Sequence, residues 1–240
     1  MKTPFLSVVI PAHNEEIRLP RALGQAYAFL ENQNYVSELI VVENGSSDHT
    51  LEVAQKFIRN YPRLCVVHED QPGKGRAIRR GMLEARGEYR FFADVDFSMP
   101  AEQINRFLPP ACNGDIIIAS REAPGSVRYN EPPFRHFTGR VFNFFIRTLV
   151  LPNLQDTQCG FKCFRAAAAE DIFRFQTLPG WSFDVELLAI ARQRGYIITE
   201  VGIPWYFNTD SKINILRDSA RMFFDLLIIR RNARRGVYDA

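Results

Sequence analysis

The chain has 240 residues, 46% apolar and 24% charged, with a formal net charge of +3. That length supports a sizeable core, in one large domain or two small ones, and the composition excludes a disordered chain. So small a net charge excludes a general polyanion binder, and the cations are not interleaved along one continuous stripe, so no nucleic-acid partner is expected.

Cys65, Cys112, Cys159 and Cys163 lack paired C-x-x-C spacing and a nearby His, which points to reduced thiols rather than disulfides or zinc. Phe5–Ala12 is too short for a signal peptide, and an apolar run of about 18 residues, the length needed to span a bilayer, is not expected anywhere.

Leu6–Ile10 reads as a buried strand broken by Pro11-Ala12-His13-Asn14-Glu15, and helical spacing follows at Leu19, Leu23, Ala26, Tyr27 and Leu30. Glu38–Glu43 is a second strand, running into Asn44-Gly45-Ser46-Ser47-Asp48. Leu51, Ala54, Phe57 and Ile58 keep helical spacing until Tyr61-Pro62. Leu64–His68 is a third strand, after which Gly73-Lys74-Gly75-Arg76 opens a helix reaching Ala85. Phe91-Phe92-Ala93-Asp94-Val95-Asp96 then carries a fourth strand into two carboxylates.

This alternation predicts an α/β fold, a doubly wound and mostly parallel Rossmann-like sheet, in which ligands bind at the carboxyl ends of the strands. His13–Glu15, Glu43–Asp48, Gly73–Arg76 and Asp94–Asp96 all fall at those ends. Gly73-Lys74-Gly75-Arg76 is either a solvated turn or an anion site at a helix N-terminus. It is not a Walker A loop, and no G-x-G-x-x-G follows the first strand.

If Asp94 and Asp96 continue the strand, they leave it on one face. Held roughly 4–5 Å apart they would repel by a few kcal/mol at an effective dielectric near 20, and a divalent cation turns that repulsion into attraction. An isolated D-x-D is more often a solvated turn, so the neighbouring loops decide the matter.

The second half predicts a strand at Asp115–Ser120, a Pro- and Gly-rich loop to Pro133, and a helix over Phe134–Leu151. That helix places Phe134, Phe137, Val141, Phe142, Phe145 and Leu149 on one face and His136, Arg140, Asn143 and Arg147 on the other. Such a stripe fits either a core or a membrane interface. Asp156–Lys162 reads as a polar patch, Trp181–Leu188 begins a helix, and Ile197–Val201 is a strand. The last helix puts Leu216, Ala220, Phe223 and Leu227 on one face and ends in Arg230, Arg231, Arg234 and Arg235. No convincing boundary divides the chain. It reads as a single domain, 1–240.

Val8–Glu16, the Gly45-Ser46-Ser47-Asp48 turn and Asp94-Val95-Asp96 resemble family-2 glycosyltransferases of the GT-A fold. Asp156–Lys162, D-T-Q-C-G-F-K, and Trp181–Leu188, W-S-F-D-V-E-L-L, resemble the dolichyl-phosphate β-glucosyltransferases, which move glucose from UDP-glucose to a polyprenyl phosphate. The resemblance implies that Asp96 binds Mg²⁺ or Mn²⁺ bridging the donor diphosphate, with Asp94 beside it on ribose or metal. It implies a nucleotide-sugar-binding half (1–121) and an acceptor and membrane-interface half (122–240), with a nucleotide-sugar pocket of Pro11, His13, Glu15, Glu43, Gly73, Lys74, Asp94, Asp156 and Gln158. Arg121, Arg135 and Lys212 would hold the acceptor phosphate. Asp184 would orient the sugar, or act as base for a hydroxyl acceptor.

Ser98 stands where the sibling mannose synthases often have Gln. A GDP-mannose donor, a soluble saccharide acceptor and a non-catalytic sugar-nucleotide binder are the alternatives. The implied enzyme is cytoplasmic and peripheral on the cytoplasmic face of the membrane. It would meet the lipid through Phe134–Leu151, the terminal arginines or an anchoring partner protein.

Overall fold

The computed structural model describes residues 3–208 and 215–239. The first half alternates β1 (Leu6–Ala12), α1 (Leu19–Glu31), β2 (Ser37–Asn44), α2 (Thr50–Ile58), β3 (Leu64–Glu69), α3 (Lys74–Glu84) and β4 (Tyr89–Ala93). The second half holds a 3₁₀ turn at Ala101–Phe107, then β5 (Ile116–Ser120), β6 (Val127–Tyr129), α4 (Pro133–Leu149) and β7 (Phe161–Arg165). It closes with α5 (Ala166–Phe175), α6 (Phe183–Gln193), β8 (Ile198–Gly202), β9 (Pro204–Tyr206) and α7 (Ile215–Arg234).

Seven strands among the described residues form one sheet in the order β3-β2-β1-β4-β7-β5-β8, and β6 pairs with β9 beside it. β1 is parallel to β2 and β4, and β5 is parallel to β8. β7 runs antiparallel between β4 and β5. The expected doubly wound, mostly parallel sheet is therefore present, with one reversed strand that the polar reading of Asp156–Lys162 missed.

Central strands covered on both faces read as continuous apolar runs, and every residue of β1, β2, β4 and β5 is buried. Alternate side chains enter opposite layers. Val8, Ile10, Leu39, Val41 and Phe91 meet Leu19, Leu23 and Ala26 of α1, whereas Val9, Ile40, Val42 and Phe92 meet Ala77, Ile78 and Met82 of α3. Gly81 lets α3 lie close on the sheet, because a Cβ there would stand 2.4 Å from Val9 Cγ1.

α6 is buried nearly all round, including the carboxylates of Asp184 and Glu186. Glu186 accepts from the Thr177 and Leu178 amides at 3.0 and 2.7 Å and from the hydroxyl of fully buried Tyr238 at 2.9 Å. Tyr238 is thus locked into the core beneath the loop that leads to Trp181.

Two helices leave apolar side chains outside. In α4, Ile146 is buried and Phe142 and Leu149 of the expected stripe pack against the core, but Phe134 and Phe137 of that stripe, and Phe144 beside it, are 70%, 66% and 65% exposed. The opposite face, with His136, Arg140 and Asn143, borders the main cavity. The face expected for α7 is rotated. Met222, Leu226 and Ile229 are the buried positions, while Ala220 and Leu227 are exposed. Phe145 of α4 meets Phe223 of α7 edge-on at 5.5 Å, which joins the two aromatic surfaces. No helix among the described residues is long and apolar enough to cross a membrane.

Candidate functional site

A cavity of about 610 Å³ opens at the carboxyl ends of the parallel strands. Pro11 and Asn44 come from the ends of β1 and β2, Asp94 and Asp96 follow β4, and Arg121 follows β5. Reversed β7 contributes its start, Gly160 and Phe161, and α6 contributes Asp184 from its first turn. Because the sheet ends here, loop side chains from distant parts of the sequence converge.

The strand stops before the carboxylates. β4 ends at Ala93, and Phe97 N donates to Asp94 O at 3.1 Å, closing a turn. Asp94 and Asp96 therefore reach the same cavity through a turn and not by strand alternation. Lys74 Nζ stands 2.6 Å from Asp94 Oδ1, and Asp96 Oδ1 accepts from Ser98 N at 3.1 Å. Burial, then the charge of Asp94, hold the Asp96 carboxyl above its ordinary range. Burial alone would lower the Lys74 ammonium, yet Asp94 and Asp184 raise it.

A cation at this turn would relieve the conflict between the two acids. No cluster of three metal-ligating His, Cys, Asp or Glu side chains occurs among the described residues. Two carboxylates with phosphate oxygens and water completing the shell suit Mg²⁺, which is seldom caged by protein alone.

Gly160 seats this turn. Its carbonyl accepts from Asp94 N at 3.0 Å, and a Cβ on it would lie 1.9 Å from Asp94 Oδ2. The neighbouring Lys162, fully buried, donates to Asp184 Oδ1 at 2.5 Å and to Cys159 O at 2.7 Å. The sequence reading named neither residue as part of the site, although both stand in the D-T-Q-C-G-F-K segment.

The loop after β1 is stitched to the loop after β2. His13 Nδ1 donates to Asn44 O at 2.8 Å, Ser47 N to Asn14 Oδ1 at 2.8 Å, and Glu15 N to Thr50 Oγ1 at 2.7 Å. Glu15 also pairs with Arg18, and Pro11, His13, Glu15 and Arg18 all border the cavity. Glu43 does not. Its carboxylate accepts from Ser46 N at 2.6 Å and His68 Nδ1 at 2.5 Å, so it holds the turn while Asn44 lines the cavity.

Of the two readings of Gly73–Arg76, the anion site at the start of α3 is filled from within. Gly75 N and Arg76 N donate to Pro179 O at 2.9 and 3.3 Å. Gly73 and Lys74 remain on the cavity wall.

On the far wall, Arg121 makes a two-point pair with Asp156, Nε to Oδ2 at 2.6 Å and Nη2 to Oδ1 at 2.9 Å. Burial would raise the Asp156 carboxyl, but Arg121 holds it down at about 2. Glu200 fixes the loop by accepting from Asp156 N at 2.9 Å, and Gln158 N donates back to Asp156 Oδ1 at 3.2 Å. Asp156, expected on the donor side, is thus the anchor of Arg121. Gln158 does border the cavity.

Arg135 also lines the cavity and lies 5.0 Å from the Phe207 ring. Burial lowers its guanidinium, Glu131 opposes that shift, and the charge of Arg121 adds to it. Arg135, disfavoured as a cation by burial and by the neighbouring charge of Arg121, is a ready seat for a dianion. Lys212, expected beside them, lies outside the described residues.

Gly160→Ala should leave the sheet assembled but push the Asp94 carboxylate out of place. Affinity for a divalent-metal complex of UDP should fall by roughly tenfold or more, the loss of about 1.4 kcal/mol or more. Calorimetric titration with a melting curve checks this, and unchanged affinity in a folded variant would contradict the seat.

The family model "Glycosyl transferase family 2" matches residues 7–173. Among curated relatives, the chain is 31% identical over 250 residues to the dolichyl-phosphate beta-glucosyltransferase of Dictyostelium discoideum, covering 98% of this chain and 76% of the relative. It is 34% identical to the Homo sapiens protein of that name, covering 95% and 75%. Among solved structures, glucosyl-3-phosphoglycerate synthase from Mycobacterium tuberculosis in complex with UDP superposes with a TM-score of 0.68 at 20% identity, over 96% of this chain and 80% of that one. The same synthase has also been solved with Mn²⁺, UDP and glucosyl-3-phosphoglycerate. The last two likenesses bear on the fold alone, which is GT-A. The family match and the relatives place the catalytic class, and the chain belongs to glycosyl transferase family 2.

Proposed function

We propose that this glycosyltransferase moves glucose from UDP-glucose to a dolichyl or related polyprenyl phosphate, with inversion, at a membrane surface. The observation that carries the reading is one cavity with the Asp94–Asp96 turn on one wall and the Arg121–Arg135 pair on the other. The relatives' names supply the sugar and the lipid class.

A phosphomonoester has its second pKa near 6 and is largely dianionic at neutral pH, so its oxygen needs no base. Arg135, with Arg121 beside it, holds that phosphate against the anomeric carbon. An oxygen lone pair forms the new C–O bond while the bond to the diphosphate breaks, its electron pair leaves with UDP, and configuration inverts. Mg²⁺ or Mn²⁺ held by Asp94 and Asp96 would neutralise the departing diphosphate as a Lewis acid. Lys74 adds a fixed positive charge at the same end. Asp184 is paired with Lys162 at 2.5 Å, which suits an orienting carboxylate better than a proton acceptor for a hydroxyl.

The lipid stays in the bilayer, so the cavity must meet it there. α4 carries the exposed aromatic stripe on its outer face and the cavity wall on its inner face. α7 adds Phe224, Leu227 and Ile228, followed by a groove lined by Arg230, Arg231, Arg234 and Arg235. Each such cation is worth about 1 kcal/mol near an anionic leaflet, screened within a Debye length. This arrangement supports reversible attachment to a membrane surface, and the cytoplasmic face is part of the proposal.

The direct experiment is a screen of labelled UDP- and GDP-sugars against a short polyprenyl phosphate. Glucose from UDP-glucose should reach the lipid, and excess chelator should stop it. Transfer only from GDP-mannose, only to soluble saccharides, or at full rate in chelator would contradict the respective part of the proposal.

Arg135→Ala should raise the KM for lipid phosphate by roughly tenfold to a hundredfold, the loss of a charge-assisted contact worth about 1.5–3 kcal/mol, and leave donor affinity near normal. Lys there should rescue in part, since it lacks the planar fork. Lost donor affinity with a normal acceptor KM would mean that the two walls are assigned in reverse.

For the membrane, changing the four terminal arginines to Gln should release the protein from anionic liposomes at moderate salt. Substitution is preferable to truncation because Tyr238 belongs to the core. Sedimentation indifferent to salt and to these changes would leave the aromatic stripe as the anchor. No sedimentation with any vesicle would point to an anchoring partner.

A further inference from the structure

Lys162 is fully buried in the middle of the sheet, in register with Phe92 of β4 and Ile118 of β5. A buried ammonium is retained only where it is paired and hydrogen-bonded. Its partners are Asp184 Oδ1 at 2.5 Å and Cys159 O at 2.7 Å, and the Phe92 ring lies 5.3 Å away. Asp184 is 3% exposed, yet it borders the cavity. On its other side Gly160, next to Cys159, accepts from Asp94 N at 3.0 Å. One ammonium therefore ties the carboxylate on the α6 wall to the loop that seats the Asp94 turn.

We propose that Lys162 is a positioning residue for the transferred sugar: it holds Asp184 as a fixed carboxylate acceptor for a hexose hydroxyl, in register with the diphosphate end of the donor. This rests on the proposed use of a nucleotide-sugar donor. Hexose hydroxyls are donors that a carboxylate binds strongly. A carboxylate already anchored by an ammonium is in place before the sugar arrives, and the ordering cost falls on the fold rather than on binding. Lys162 touches no substrate; it acts through Asp184.

The experiment separates the sugar from the nucleotide. UDP and UDP-glucose are titrated with Mn²⁺ into the wild-type protein, Lys162→Met, Asp184→Asn and the double variant, with melting curves for each. The ratio of UDP-glucose affinity to UDP affinity should fall by roughly tenfold or more in both single variants, while UDP affinity stays within about twofold. The double variant should match Asp184→Asn, because residues acting as a unit are not additive.

If Lys162 only supports the fold, Lys162→Met lowers both affinities together and leaves the ratio unchanged, which overturns the proposal. Breaking one half of a buried pair is harsher than removing both, so if Lys162→Met does not fold, Lys162→Arg decides, since it keeps the charge but displaces the Asp184 carboxylate. A lowered ratio with UDP affinity kept supports the role, and an unchanged ratio in the folded variant overturns it. Should the wild-type protein bind a different sugar nucleotide, the glucose assignment fails. The same ratio on that donor still decides the role of Lys162.

Discussion

The buried Lys162–Asp184 pair is the interaction on which the site's geometry depends. Removing one partner of such a pair strands the other charge in the interior, at a typical cost of about 3–5 kcal/mol. Lys162 is fully buried, Asp184 is nearly so, and their contact is 2.5 Å. The pair couples β7 to α6, and through Cys159 and Gly160 it reaches the turn after β4. An apolar pair of the same volume would hold β7 to α6 as well, but it would present no carboxylate to the cavity.

The same logic recurs across the cavity. Arg121 sits in its place because Asp156 takes two of its donors, and Asp156 is fixed in turn by Glu200 on β8. Both walls are therefore built from charges neutralised within the protein, beside charges whose compensation a ligand would improve. Asp96 is disfavoured as an anion by burial and by Asp94, and Arg135 as a cation by burial and by Arg121. On the proposed reaction, a metal-bound diphosphate answers the first and a phosphate dianion the second.

How much of this is legible in the sequence follows from what each residue type can report. The β1–β4 half is plain because parallel strands buried on both faces are continuous apolar runs, and the loops at their ends carry the polar motifs. β7 is hidden because a lysine at its second position reads as surface until its partner Asp184, 22 residues later, is known. α5 left a usable signal, the run of four alanines from Ala166, since alanine is the strongest helix former. Glu43, at the end of β2, and Asp156, in the loop before β7, are acidic residues that look like ligands. Glu43 is taken up by His68, and Asp156, though it borders the cavity, pairs with Arg121, neighbours that only the fold brings close. The periodicity of α4 is correct, but a pattern of apolar positions cannot say whether core or solvent covers them.

The central claim is that the acceptor brings its own nucleophile and the protein supplies only position and charge. The most direct measurement is the pH dependence of the single-turnover transfer step, with a short polyprenyl phosphate and with the corresponding phosphonate, whose second ionisation lies higher. The account predicts an acid limb near pH 6 for the phosphate, moving upward with the phosphonate by the difference between the two acceptors. A limb that stays in place when the acceptor is changed would assign the ionisation to a base in the protein and contradict the account.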